Sequence, residues 1–83
     1  MKRQSSPISL AELAVGDVAR VHQTDVEDTT GRFLQAIGLT RTAQFRVCRR
    51  GEPCIIQVRS TRVGLARAIA DRILVVPVDQ PKG

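Results

Sequence analysis

Two strictly alternating runs joined by a five-residue turn constrain this chain more than any other feature. Ala43, Phe45 and Val47 alternate with Gln44, Arg46 and Cys48, and Cys54, Ile56 and Val58 alternate with Ile55, Gln57 and Arg59. A period of two sends one set of side chains to each face of a β-strand, so the first run is a strand with one apolar face, and the second pairs with it. Between them, Arg49-Arg50-Gly51-Glu52-Pro53 carries Gly and Pro, the residues that punctuate turns. The pair reads as a β-hairpin. Its cysteines test the register: alternation turns Cys48 outward and Cys54 inward, whereas a symmetric turn about Gly51 would set the two opposite each other. Both cannot hold, so the hairpin is offset by one residue or contains a bulge.

The remainder of the chain supplies short pieces of the same kind. Ser9 followed three residues later by Glu12 is a capping box, predicting a one-turn helix over Ser9–Leu13 before the turn Val15-Gly16-Asp17. In Asp17–Gln23, Ala19 and Val21 share one face and Arg20 and His22 the other, although Val18 breaks the alternation. The acidic stretch Asp25–Thr30 leads into a helix with Asp28 or Thr29 as its cap. Phe33, Leu34 and Ile37 form that helix's apolar face, and Gly38 stands where a left-handed residue ends it. A short strand over Arg62–Leu65 turns Val63 and Leu65 inward, and Ala66–Asp71 makes a helical turn. Ile73–Val78 is a closing strand whose unbroken apolar run predicts burial on both faces. The fold class is mainly β with short helices. About five short strands, with a helix inserted after the first, predict a small closed or nearly closed barrel. Residues 1–7 are expected to be a flexible N-terminus, 8–78 the single domain, and 79–83 a flexible C-terminal tail.

With 83 residues the chain makes one domain, burying only about 60–65% of its unfolded surface. No stretch approaches the roughly 20 apolar residues of a membrane helix, so no membrane insertion is expected. The start, MKRQSSPISL, has a basic flank but no apolar run, and the two cysteines are too few for a disulfide scaffold. A cytoplasmic address follows as the expectation. The net charge of +5 is uneven: residues 41–72 hold eight arginines against Glu52 and Asp71. Such a half suggests an acidic partner surface or anionic lipid headgroups; the simpler reading is the solvated face of edge strands.

Candidate chemistry is sparse. His22 is the single histidine; it falls on an outward strand face with no nucleophile in reach, so a surface role is the simpler reading and no enzyme is expected. Cys48 and Cys54 have five residues between them, more than the two to four of a metal knuckle. Imidazole and carboxylate together suit a divalent transition metal better than a lone thiol does, which makes His22, Asp25, Glu27 and Asp28 the neighbourhood suited to weak metal binding. Cys54 reads better as a small core hydrophobe. A basic small barrel is also a platform for nucleic acid, but the chain has no Trp or Tyr, and Phe33 and Phe45 fall on expected core faces. Only salt-sensitive phosphate attraction is left, without a specific nucleic acid partner.

The order of these pieces resembles the FeoA family, accessory proteins of bacterial ferrous iron uptake. The matching residues run from Leu10-x-x-Leu13-x-x-Gly16-x-x-Ala19-x-Val21 through Arg32-Phe33-Leu34-Gln35-Ala36-Ile37-Gly38-Leu39. They continue with the turn Gly51-Glu52-Pro53, then Val63-Gly64-Leu65-Ala66-Arg67 and Ala70-x-x-Ile73-x-Val75. The resemblance implies an SH3-like β-barrel that holds no cofactor and assists FeoB, a membrane transporter with a cytosolic GTP-binding domain; membrane association would come through that partner. One departure stands out. Arg41-Thr42 replaces the family's Pro-Gly, and Thr42 is poorly suited to the positive φ of a type II turn, so this turn is expected to take another shape. The expected partner surface joins Leu34, Leu39 and Arg41 to the hairpin arginines Arg49 and Arg50, as exposed apolar residues beside Arg. Exposed strand edges also offer a route to homo-oligomers. A basic nucleic-acid-binding barrel and a weak transition-metal sensor remain the alternatives.

Overall fold

The computed structural model describes residues 6–78; the first five residues and the tail expected over 79–83 lie outside that range. Six antiparallel strands form one sheet: β1 (Ile8–Ser9), β2 (Val18–Thr24), β3 (Gln44–Arg49), β4 (Cys54–Val58), β5 (Thr61–Leu65) and β6 (Ile73–Pro77). Their order across the sheet is β1-β6-β2-β3-β4-β5. Inward residues from β2 to β6 meet in one apolar cluster, including Ala19, Val21, Phe45, Val47, Ile56, Val58, Val63, Leu65, Ile73 and Val75. A single sheet can bring those side chains together only by curling, and the result is a small SH3-like barrel. The sixth strand is the two-residue β1, too short to leave a periodic signal. The helix α1 (Asp28–Ala36) therefore follows the second strand, which is the first long one.

Among the described residues β1 and β5, the ends of the sheet, share no ladder. A single 3-10 turn (Leu10–Glu12) and the short helix α2 (Arg67–Ala70) fill that seam, burying Leu10, Leu13 and Ala70. Ser9 organises the plug. Its Oγ accepts from the Ala11 amide at 3.1 Å and lies 3.4 Å from the Ala70 carbonyl, tying the first turn to the last helix.

The hairpin register resolves the cysteine conflict by a bulge. Val47 pairs with Ile56, yet Arg49 pairs with Ile55, leaving Cys48 as the extra residue on β3. Cys54 is buried and Cys48 half-exposed, as alternation requires. A second bulge falls in β2, where Val21 pairs with Val75 and Gln23 with Leu74. His22 is the residue left over.

Three local expectations need correction. The residue preceding α1 is Glu27, and it makes no side-chain cap; Asp28 is the first helical residue. On α1, Leu34 is buried and Ile37 half-buried, but Phe33 is 47% exposed. Phe33 and Leu34 are about 100° apart around the helix, and the barrel covers the Leu34 side only. On β6, Ile73 and Val75 are fully buried while Leu74 and Val76 are half-covered, because only one face looks into the barrel. Gly38, at φ +91, ends α1 as its position predicts.

Candidate functional site

Among the described residues a groove of about 870 Å³ lies between the end of β2, the first turns of α1 and the turn before β3. Its apolar floor comes from Val21, Val26, Leu34 and Leu39, and its rim from His22, Glu27, Asp28, Arg32, Gln35 and Arg41. The β2 bulge opens it. At His22 the strand departs from regular pairing with β6, and the freed carbonyl accepts the Arg41 Nε–H at 3.2 Å.

The turn carrying Arg41 has the altered shape anticipated from its sequence. The Ala43 amide donates to the Thr40 carbonyl at 3.1 Å, making Arg41 and Thr42 the central pair. Neither has a positive φ, the one such non-glycine residue among those described being Arg59. A type II turn is thereby excluded. Its Arg side chain instead laces the turn to β2.

The groove unites Leu34, Leu39 and Arg41 with His22, Glu27 and Asp28, two sets of candidates kept apart in the sequence reading. Two of its premises fail. Leu34 and Leu39 are 2% and 3% exposed, so they are core residues that floor the groove and not exposed anchors. The exposed large apolar residue of α1 is Phe33, and it does not line the groove. The hairpin arginines do not extend the surface either: Arg49 ends β3 while Arg41 precedes its start, and the strand between spans about 17 Å. Arg50 instead borders a smaller cavity of about 230 Å³, with Leu10, Leu13, Cys54 and Arg67. Its Nη2 lies 3.5 Å from the Ala11 carbonyl. Burial in this seam raises the Cys54 thiol above its ordinary pKa, against a smaller lowering by the Arg50 guanidinium.

Asp25 pairs at 3.5 Å with Arg72, both side chains largely in solvent, a contact of little energetic weight. Among the described residues, no three His, Cys, Asp or Glu side chains form a group able to hold a metal ion. The groove offers an apolar floor, with Glu27, Asp28 and Arg32 on the α1 side and Arg41 on the side of the turn before β3. Phe33 is what sequence reasoning missed.

The sequence model of the FeoA domain matches residues 8–77, every strand of the barrel included. No curated protein gives a significant match. Among solved structures, the FeoA protein from Chlorobium tepidum is 29% identical with a TM-score of 0.83, over 92% of this chain and 75% of that one. The FeoA of Stenotrophomonas maltophilia, solved in complex with zinc and described as a prokaryotic SH3 domain protein, is 28% identical with a TM-score of 0.71, over 82% and 88%. The IdeR of T. acidophilum shares the fold alone, at 16% identity and a TM-score of 0.81, over 94% of this chain and 37% of that one. A profile match across the whole barrel is decisive: the chain belongs to the FeoA-domain family.

Proposed function

We propose that this protein acts in bacterial ferrous iron uptake as an accessory protein that docks on the cytosolic part of a FeoB-type membrane transporter. The observation that carries the reading is the family match over residues 8–77, which takes in the whole folded barrel. The groove beside α1 supports it. A partner segment can lay an apolar side chain on Val26 and Leu39, with Arg41 and Arg32 positioned at the rim. Arg beside an apolar floor is a common make-up of interface anchors. No helix among the described residues is long and apolar enough to cross a membrane, so access to the bilayer comes through the partner or through surface contacts.

Co-purification with a tagged FeoB-type transporter tests the reading. Retention of the barrel through mild-detergent washes is the expected result. Failure to associate in both native membranes and detergent would exclude the docking role.

A further inference from the structure

We propose that the outward face of β2 to β5 is a docking surface for anionic lipid headgroups. Val18, Arg46, Gln57 and Arg62 are cross-strand partners in one row running from β2 to β5. Arg20 pairs with Gln44 in the next row, and Arg59 follows it in the two-residue turn beyond the Val58–Thr61 pair. The four arginines thus alternate between two rows, one from each strand or its turn, and all are exposed. Diagonal neighbours on a sheet face lie about 7–8 Å apart, so the guanidiniums form a two-dimensional array without standing directly opposite one another.

Staggering like charges is what any solvated sheet would do. Solvation alone does not account for the lack of compensation. Among the described residues the ion pair formed is Arg72–Asp25, away from this face, and no carboxylate pairs with Arg20, Arg46, Arg59 or Arg62. Between the arginines lie Gln44, Gln57 and Val18, which with Arg46 and Arg59 line a shallow depression. Arg59 also holds φ +59 at the first central position of a tight hairpin turn, a place that favours glycine.

Mobile anionic headgroups gather under a convex basic face whose charges spread in two dimensions, whereas a nucleic acid backbone is a line. The face carries no aromatic ring to stack a base, since Phe45 points into the core and Phe33 is on α1. Near an anionic leaflet each arginine strengthens binding about fivefold at physiological salt. Four amount to several hundred-fold, enough to concentrate the protein at a membrane but short of stable anchoring, which takes a second signal. The transporter groove is a separate surface, so either proposal can fail alone.

The test is co-sedimentation of the full chain with vesicles of phosphatidylcholine containing about one-third phosphatidylglycerol, with no transporter present. Binding is expected to anionic vesicles, to be absent from pure phosphatidylcholine, and to fall steeply as salt rises. Arg46→Gln with Arg62→Gln should lower the partition coefficient roughly 25-fold, at about fivefold per charge. Arg67→Gln with Arg72→Gln, the same charge change off this face, should lower it far less. Circular dichroism of both double variants confirms that the fold is kept. No binding at low salt, or equal loss in the two double variants, would overturn the proposal. So would a single-stranded oligonucleotide that binds more tightly than vesicles at equal phosphate and loses that binding with Arg46 and Arg62.

Discussion

Neighbouring residues on α1 do opposite work. Leu34 is sealed into the barrel and Phe33 stands in solvent. Leu34→Ala removes a fully packed side chain and should cost about 2–5 kcal/mol, measured by urea unfolding. Phe33→Ala should leave stability within about 0.5 kcal/mol. Cys54 provides a second residue-scale check. Its thiol, held protonated by burial above the ordinary value of 9.0, ionises later in the folded chain than in the unfolded one. Its stabilising effect is then complete below the unfolded pKa and is lost as pH rises through the folded one. Thermal melts between pH 8 and 10 should show a shallower decline for Cys54→Ala than for the parent chain. At this scale the sequence was partly legible: alternation assigned Cys54 and Phe45 to the interior correctly, because period two fixes the face of every strand residue. It could not separate Phe33 from Leu34. A 3.6-residue period over nine positions specifies an inward side only once the barrel surface is known.

Among the elements, the two bulges and the turn before β3 shape the site. The β3 bulge was foreseeable from the conflicting demands on Cys48 and Cys54, since two incompatible registers have only such solutions. The β2 bulge at His22 left no comparable mark; it depends on how β6 crosses β2, a contact between residues about fifty positions apart. For the same reason β1 went unread, because two residues carry no period and their strand identity comes from pairing with β6. The Thr40–Ala43 turn separates backbone from side-chain roles. Arg41 sits at the first central position with negative φ and its amide makes no backbone hydrogen bond among those described, so proline fits there. Arg41→Pro is expected to keep the thermal midpoint within a few degrees while removing the contact to the His22 carbonyl. A fall in partner affinity without loss of fold would assign the side chain a binding role; unfolding of the variant would show that the contact is structural.

As a whole molecule, this is a barrel whose functions are divided by surface. The groove lies beside α1, the arginine array spreads over the outer face of β2 to β5, and the seam between β1 and β5 is plugged by the 3-10 turn and α2. Composition anticipated the basic half of the chain but not its arrangement, since Arg20 joins Arg46, Arg59 and Arg62 only through strand pairing. The expected surface linking Arg41 to Arg49 and Arg50 failed for a related reason: residues near in sequence were set at opposite ends of one extended strand. The central claim is that the groove receives a membrane transporter. Affinity measured against a FeoB-type transporter in nanodiscs of uncharged lipid isolates that contact from the arginine face. Saturable binding, weakened tenfold or more by Arg41→Ala while Arg46→Gln changes it little, is the expected result. Absence of binding by the parent chain, or binding indifferent to Arg41, would contradict it.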